Sequence, residues 1–194
     1  VCSYPAYTAL FDAETDTNTV MVVLADKEEI GSEGTTGMQC AIFTDLIDAI
    51  ASSFGVSSAA VRANSKCLSA DVNAAVDPTF PQVHEKMNAA YLNYGIVVTK
   101  YTGSGGKYST NDCPAEFCAE VRDILDNANV VWQTGELGKV NEGGGGTVAK
   151  YIANHNIETI DLGVPVIAMH SPYEVISKVD LYESYKAFLA FSMY

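Results

Sequence analysis

The sequence predicts an α/β fold: a three-layer α/β/α sandwich around a mixed, mostly parallel sheet. Three observations predict it. Strand-length apolar segments alternate with helix-length amphipathic segments along the whole chain. Residues 20–25 form a continuous apolar run rich in β-branched side chains, the signature of a strand buried on both faces. No internal repeat and no linker-like stretch divides the 194 residues, so one domain is expected.

Residues 2–13 place Ala6, Ala9, Leu10 and Ala13 at helical spacing. Residues 15–19 are a polar turn before the apolar strand at 20–25. A polar, glycine-containing loop, 26–34, follows. A long helix is expected over 36–54, with Gly55 placed to end it in a left-handed conformation. Residues 57–64 form a short helix and 67–71 a short strand that ends on an acid. Residues 73–94 are irregular, with Asp77-Pro78 and Phe80-Pro81 as breakers. A strand over 96–101 leads into a Gly/Ser loop, 102–107. A helix over 114–127 carries Pro114 in its first turn and Asp112 as N-cap. A strand at 130–133 precedes the glycine-rich loop 141–146 and a helix over 147–155. Two strands, 157–162 and 164–169, are expected around Gly163. An amphipathic helix over 179–194 closes the chain, apolar at Leu181, Tyr185, Phe188 and Leu189.

Charge narrows the function classes. There are 11 Lys+Arg against 24 Asp+Glu, a formal net charge of −13, with 48% hydrophobic residues. That much apolar material excludes disorder. The lack of clustered cations argues against nucleic acid and against an anionic membrane surface. No stretch approaches the ~20 apolar residues of a membrane span. What the charge suits is a soluble protein, a cation site, or both. The five cysteines are odd in number and lack metal-knuckle spacing, so they read as reduced thiols of a cytoplasmic protein. The first residues, Val1-Cys2-Ser3-Tyr4-Pro5, show neither an initiating Met nor a basic signal-peptide start, as expected of a piece of a longer chain.

In open α/β sheets, functional groups collect at the carboxyl ends of strands. Three expected strands end on such groups: Asp26-x-Glu28-Glu29, Asp71 and His170. Together they suggest a metal site. Adjacent carboxylates repel unless a cation intervenes. One Glu can ligate a metal while its neighbour acts as general base on the attacking water. The alternative is a solvated acidic loop. His84 and His155 lie in polar surroundings and read as surface residues. The Gly143–Gly146 run could cradle an anion on free N–H groups, or simply permit close backbone approach. It is not a Walker loop, because no Gly-Lys-Ser/Thr follows.

These segments resemble the dinuclear zinc aminopeptidases, and specifically the aspartyl aminopeptidase (aminopeptidase I) family. Asp26-Lys27-Glu28-Glu29-Ile30-Gly31-Ser32 is similar to that family's D-x-E-E-[VI]-G-S motif. Leu68-Ser69-Ala70-Asp71-Val72 with Ala75-Val76-Asp77-Pro78, Lys107-Tyr108-Ser109-Thr110-Asn111 and Ala168-Met169-His170-Ser171-Pro172-Tyr173-Glu174 resemble three further family segments. Where family members often carry H-A-V-H-P, this chain has Ala75-Val76-Asp77-Pro78 after Asn73-Ala74.

The resemblance implies a sandwich of the zinc-exopeptidase type and two zinc ions per complete active site, with Mn or Co as other metals that suit N/O donors. It implies that Glu28 is the general base, that Glu29 and His170 bind one zinc, and that Asp71 binds the other. It also implies that the chain is the C-terminal portion of a catalytic domain, lacking a bridging Asp, an H-x-D motif and a lid domain. On its own the chain is then incomplete as an enzyme. Peptide substrates with acidic N-terminal residues need a cation in the pocket, for which Lys100 and Lys107 are candidates. Glu142 is the candidate for the substrate α-ammonium, and Gly144 and Gly145 for backbone contacts. Family members form dodecamers, so a homo-oligomer is expected. A glutamyl or deblocking aminopeptidase of the sister family, a non-catalytic assembly module and a nucleotide-binding domain remain as other readings.

Overall fold

The computed structural model describes residues 1–103, 105, 108–139 and 141–194. Its centre is β5 (Glu158–Ile167), ten residues of which eight are buried. On one side of it run β1 (Lys66–Ser69) and β2 (Val72–Ala74), both parallel to β5, with Ser69 opposite Asp161 and Val72 opposite Val164. On the other side run β3 (Ile96–Thr99) and β6 (Val175–Ile176), both antiparallel. Outside β3, β4 (Trp132–Thr134) is parallel to it. The sheet is mixed, and the parallel ladders outnumber the antiparallel ones, as the sequence predicts.

Side chains alternate across a strand, so β5 supplies both faces. Ile160 and Leu162, with Ile96 and Val98 of β3, pack under α1 (Ser3–Asp12), α4 (Ala115–Asn127) and α6 (Lys178–Met193). Phe117, Val121 and Leu125 of α4 and Ala187 and Phe188 of α6 complete that core. A second cluster joins Phe43 and Ile47 of α2 (Ile42–Ser53) to Ile152 of α5 (Ala149–Ala153), with Val61 of α3 (Ser58–Ala63) and Cys67 of β1 at its edge. Cys67 and Leu68 are neighbours in sequence but belong to different clusters, which places helices on both faces of the sheet.

Local signals act as expected in several places. Gly55 adopts φ +67 just beyond α2. The Ser177 hydroxyl accepts the Val179 and Asp180 N–H groups at the start of α6 (3.2 and 3.4 Å). All five cysteines are free thiols, and burial pushes the Cys67 thiol up to about 12.

Four expectations are corrected. Residues 20–25 are not in the sheet: Met21, Val23 and Leu24 are exposed, and only Asp26 makes an isolated bridge, to Gly37. The sheet order is β1-β5-β3-β4, and among the described residues neither outer strand pairs with this run. Gly163 does not divide two strands; it lies within β5. The segment 73–94 contains most of β2 and a 3-10 turn, Pro81–Val83. Asp112 does not cap α4, whose N-cap is Pro114; its carboxylate pairs instead with the Lys100 ammonium.

Phe117 is 1% exposed at the centre of the larger core. Phe117→Ala should lower unfolding free energy by about 3–5 kcal/mol, read as a lower urea midpoint at unchanged slope.

Candidate functional site

The acidic loop folds tightly on itself. Residues Glu28–Ile30 form one 3-10 turn, entered through Lys27 at φ +65 and left through Gly31 at φ +92 and Ser32 at φ +60. The Lys27 carbonyl accepts the Ser32 N–H (2.8 Å) and the Ile30 N–H (3.3 Å). Gly37 lies against this turn; a Cβ there would stand 2.2 Å from the Ser32 carbonyl oxygen, so only glycine fits. The Lys27 ammonium and the Thr36 hydroxyl bind the Asp26 carboxylate (2.9 and 3.1 Å), and these bonds hold its pKa below the ordinary carboxylate value.

His170 lies three residues past the end of β5. Ala168 and His170 both take positive φ, +58 and +65, an uncommon conformation for side chains with a Cβ. The turn is held by the Ser171 N–H donating to the Ala168 carbonyl (3.0 Å) and the His170 N–H donating to Glu174 Oε1 (2.6 Å). This geometry brings His170 Nε2 to 3.0 Å from Glu29 Oε1. Both side chains are about 70% exposed.

Asp71 occupies the interruption between β1 and β2 rather than a strand end. Its Oδ1 accepts the Val72 N–H (2.7 Å). Its carbonyl oxygen presses on Gly163 of β5, where a Cβ would come within 1.9 Å. Gly163 thus fixes the position of Asp71. Glu28 is half-buried beside this group. Burial raises its pKa above the ordinary value; the charges of Asp71 and Glu29 raise it further, and His170 partly offsets them. The structure therefore brings Glu28, Glu29, Asp71 and His170 into one electrostatic neighbourhood.

Among the described residues, no group of three or more His, Cys, Asp and Glu side chains is gathered closely enough to hold a metal ion. The Glu29–His170 pair offers the oxygen and nitrogen donors that zinc takes, but two donors fall short of the three a catalytic zinc requires. The residues present fit part of a metal centre.

The other candidates are more scattered. The Lys100 ammonium is paired with Asp112, which raises its pKa. Lys107 lies outside the described residues. Glu142 forms an exposed ion pair with Lys139 (3.3 Å). Gly144 packs on the neighbouring loop: a Cβ would stand 2.2 Å from the Gly103 carbonyl oxygen, and φ is +94. The Gly145 carbonyl accepts the Gly103 N–H (2.9 Å). The glycine run thus serves close backbone approach, and Gly144 lines a pocket of about 160 Å³ with Tyr101, Thr102, Glu136 and Leu137. His84 and His155 are half-buried rather than surface groups. His84 Nε2 accepts the Asp77 N–H (3.2 Å), and the His155 ring lies 6.0 Å from that of Phe43.

Sequence reasoning missed two acids. Glu136 is the carboxylate on the pocket wall, the position expected of Glu142; burial, then the charge of Asp161, pushes it up to about 7. Asp161 is 7% exposed in the middle of β5. Its signal was present: a lone acid between Ile160 and Leu162 in an apolar strand.

A carboxylate pair and an imidazole are thus offered from loops around a three-layer α/β sandwich. The chain belongs to the M18 family, described as aminopeptidase I zinc metalloprotease, which matches residues 1–192. It is 45% identical over 98% of its length to a probable M18 family aminopeptidase 1 of Clostridium acetobutylicum, covering 42% of that protein. A probable M18 family aminopeptidase 1 of Thermotoga maritima is 43% identical over 97% of this chain, covering 43% of that protein. The crystal structure of an M18 aminopeptidase from Thermotoga maritima superposes with a TM-score of 0.94 at 42% identity, over 98% of this chain and 43% of that one. The chain spans less than half the length of these relatives.

Glu136 makes stability pH-dependent. Its folded pKa lies above its unfolded value, so it contributes stability below about pH 4.5 that is lost as pH rises through 7. Glu136→Gln should remove on the order of 1 kcal/mol of that decline, allowing for the group's partial exposure, in urea midpoints compared at pH 5 and pH 8.

Proposed function

We propose that the protein carrying this chain is a zinc-dependent aminopeptidase that releases N-terminal residues, acidic by preference, from peptides. Family membership supports the metallopeptidase chemistry. The observation that carries the assignment to these residues is the 3.0 Å approach of Glu29 Oε1 to His170 Nε2, with Glu28 half-buried beside it. Glu29 and His170 would hold one zinc and Asp71 a second, with the remaining ligands from residues outside this chain. The chain is then the C-terminal portion of the catalytic domain. Bound zinc would polarise the scissile carbonyl and acidify a water.

The chain's own residues do the rest. Glu28 takes a proton from the attacking water on its carboxylate and passes it to the leaving amine nitrogen. Its partial burial favours this work, because a raised pKa makes the carboxylate a stronger base. The pocket lined by Tyr101, Thr102, Glu136 and Gly144 would receive the N-terminal residue, with the Glu136 carboxylate facing the substrate α-ammonium. Lys100 and Lys107 would attract an acidic side chain. A cytoplasmic location agrees with the free thiols. A homo-oligomer follows the yeast relative whose structure is a dodecamer, with a TM-score of 0.78 at 26% identity.

Glu28→Gln should lower kcat by about 10²–10⁴-fold while leaving the zinc content of the purified protein unchanged. Loss of zinc in parallel would place Glu28 among the ligands instead. Lys100→Glu should lower kcat/KM about tenfold or more on Asp- and Glu-peptides and spare Leu-peptides. Equal loss on both would remove Lys100 from the specificity pocket.

A further inference from the structure

The loop that carries His170 is the turn of a hairpin. β5 and β6 pair antiparallel, with Val166 opposite Ile176 and Ile167 opposite Val175. Residues 168–174 close the hairpin between them. The His170 side chain is 67% exposed, so packing does little to orient it. Its direction must come from the backbone of the turn.

That backbone is held in an unfavourable shape. Ala168 and His170 have φ of +58 and +65. A Cβ is disfavoured in this region, and Ala168 has no polar side-chain atom to offset the cost. Bonds within the tip bend it. The Ser171 N–H donates to the Ala168 carbonyl (3.0 Å). The Ser171 hydroxyl donates to the Tyr173 carbonyl (2.8 Å) and accepts the Tyr173 N–H (3.1 Å).

A further bond reaches from the tip to the returning arm. Glu174 Oε1 accepts the His170 N–H at 2.6 Å. Glu174 stands directly before β6, and its neighbour Val175 is paired with Ile167 of β5. The carboxylate therefore ties the His170 backbone to a fixed strand. A hydrogen bond to a carboxylate is stronger than one between neutral groups. Fixing this N–H fixes the peptide plane ahead of His170, and with it the direction in which the side chain leaves. The imidazole so directed has Nε2 3.0 Å from Glu29 Oε1.

We propose that Glu174 is a positioning residue. By holding the His170 N–H, its carboxylate keeps the imidazole aimed at Glu29 and sets how tightly that pair holds a metal ion. Glu174 acts through the main chain of His170 and not as a ligand. The proposal rests on the assignment of Glu29 and His170 to zinc.

The test is zinc retention by the full-length protein that carries this chain, dialysed against a graded series of chelator-buffered free zinc and counted per subunit. Glu174→Ala should need about 10–100-fold more free zinc to hold the ion at His170. Glu174→Gln keeps an oxygen that can accept the same N–H, and should fall between the parent and Glu174→Ala. Ala168→Gly added to Glu174→Ala should regain about fivefold or more, because glycine takes the left-handed region without strain. A lost ligand could not be regained in this way. Stripped of zinc, Glu174→Ala should unfold within about 2 °C of the stripped parent, as substitutions at exposed positions do. His170→Ala separates the two claims. Zinc held there as in the parent overturns the ligand assignment and the positioning role with it. Zinc lost there but held by Glu174→Ala at the parental level overturns the positioning role alone. So would Glu174→Gln as weak as Glu174→Ala, no recovery on adding Ala168→Gly, or a fall in the Tm of the stripped protein well beyond that limit.

Discussion

β5 must be covered on both faces. Eight of its ten residues are buried, and such a strand cannot sit at a surface or an edge. That requirement places α1, α4 and α6 over Ile160 and Leu162 and leaves the other face to α2 and α5. It also fills both hydrogen-bonding sides of the strand. Chemistry can then be offered only from loops pinned to β5. Asp71 is pinned by its carbonyl against Gly163, and His170 by the turn that ends the strand. Positive φ at Ala168 and His170 shows that this turn is held by its surroundings rather than by local preference.

The sequence made some of this legible. Helix α4 was readable because a 3.6-residue apolar period survives wherever one face meets a core and the other meets water; α6 blurs that period, because it buries Asp180, Glu183 and Ser184 beside Ala187 and Phe188. Glu28, Glu29, Asp71 and His170 were readable because acids and imidazole stand out where they punctuate apolar runs. Strands β2 and β6, three and two residues long, were too short to carry a period. Residues 20–25 misled in the opposite direction. Their composition fits a central strand, but composition does not name the strand that would pair with them. Gly163 misled because glycine marks a break and a close approach equally well, and only the Asp71 carbonyl beside it decides between them.

Asp161 shows a further limit of pattern reading. A lone acid in an apolar strand is costly to bury, so its presence signals a partner. The sequence cannot name that partner, because Ser69 and Thr99 reach it through register and not through spacing. Its polar row lies one pleat away from the hydrophobic Ile160 and Leu162, so the same strand serves a dry core and a buried acid.

Glu28 and Glu29 are adjacent in sequence but meet different surroundings. Glu29 points out of the 3-10 turn to the His170 imidazole, a contact that keeps its oxygen beside a second metal-type donor. Glu28 is turned inward, where burial and two neighbouring carboxylates make holding a proton easier. Like charges gathered in this way repel, and the histidine relieves only part of that repulsion. A divalent cation at Glu29 and His170 would relieve more. The proposed division into ligand and base therefore follows from which way one turn directs two identical side chains, and that turn is set by Lys27, Gly31 and the missing Cβ of Gly37.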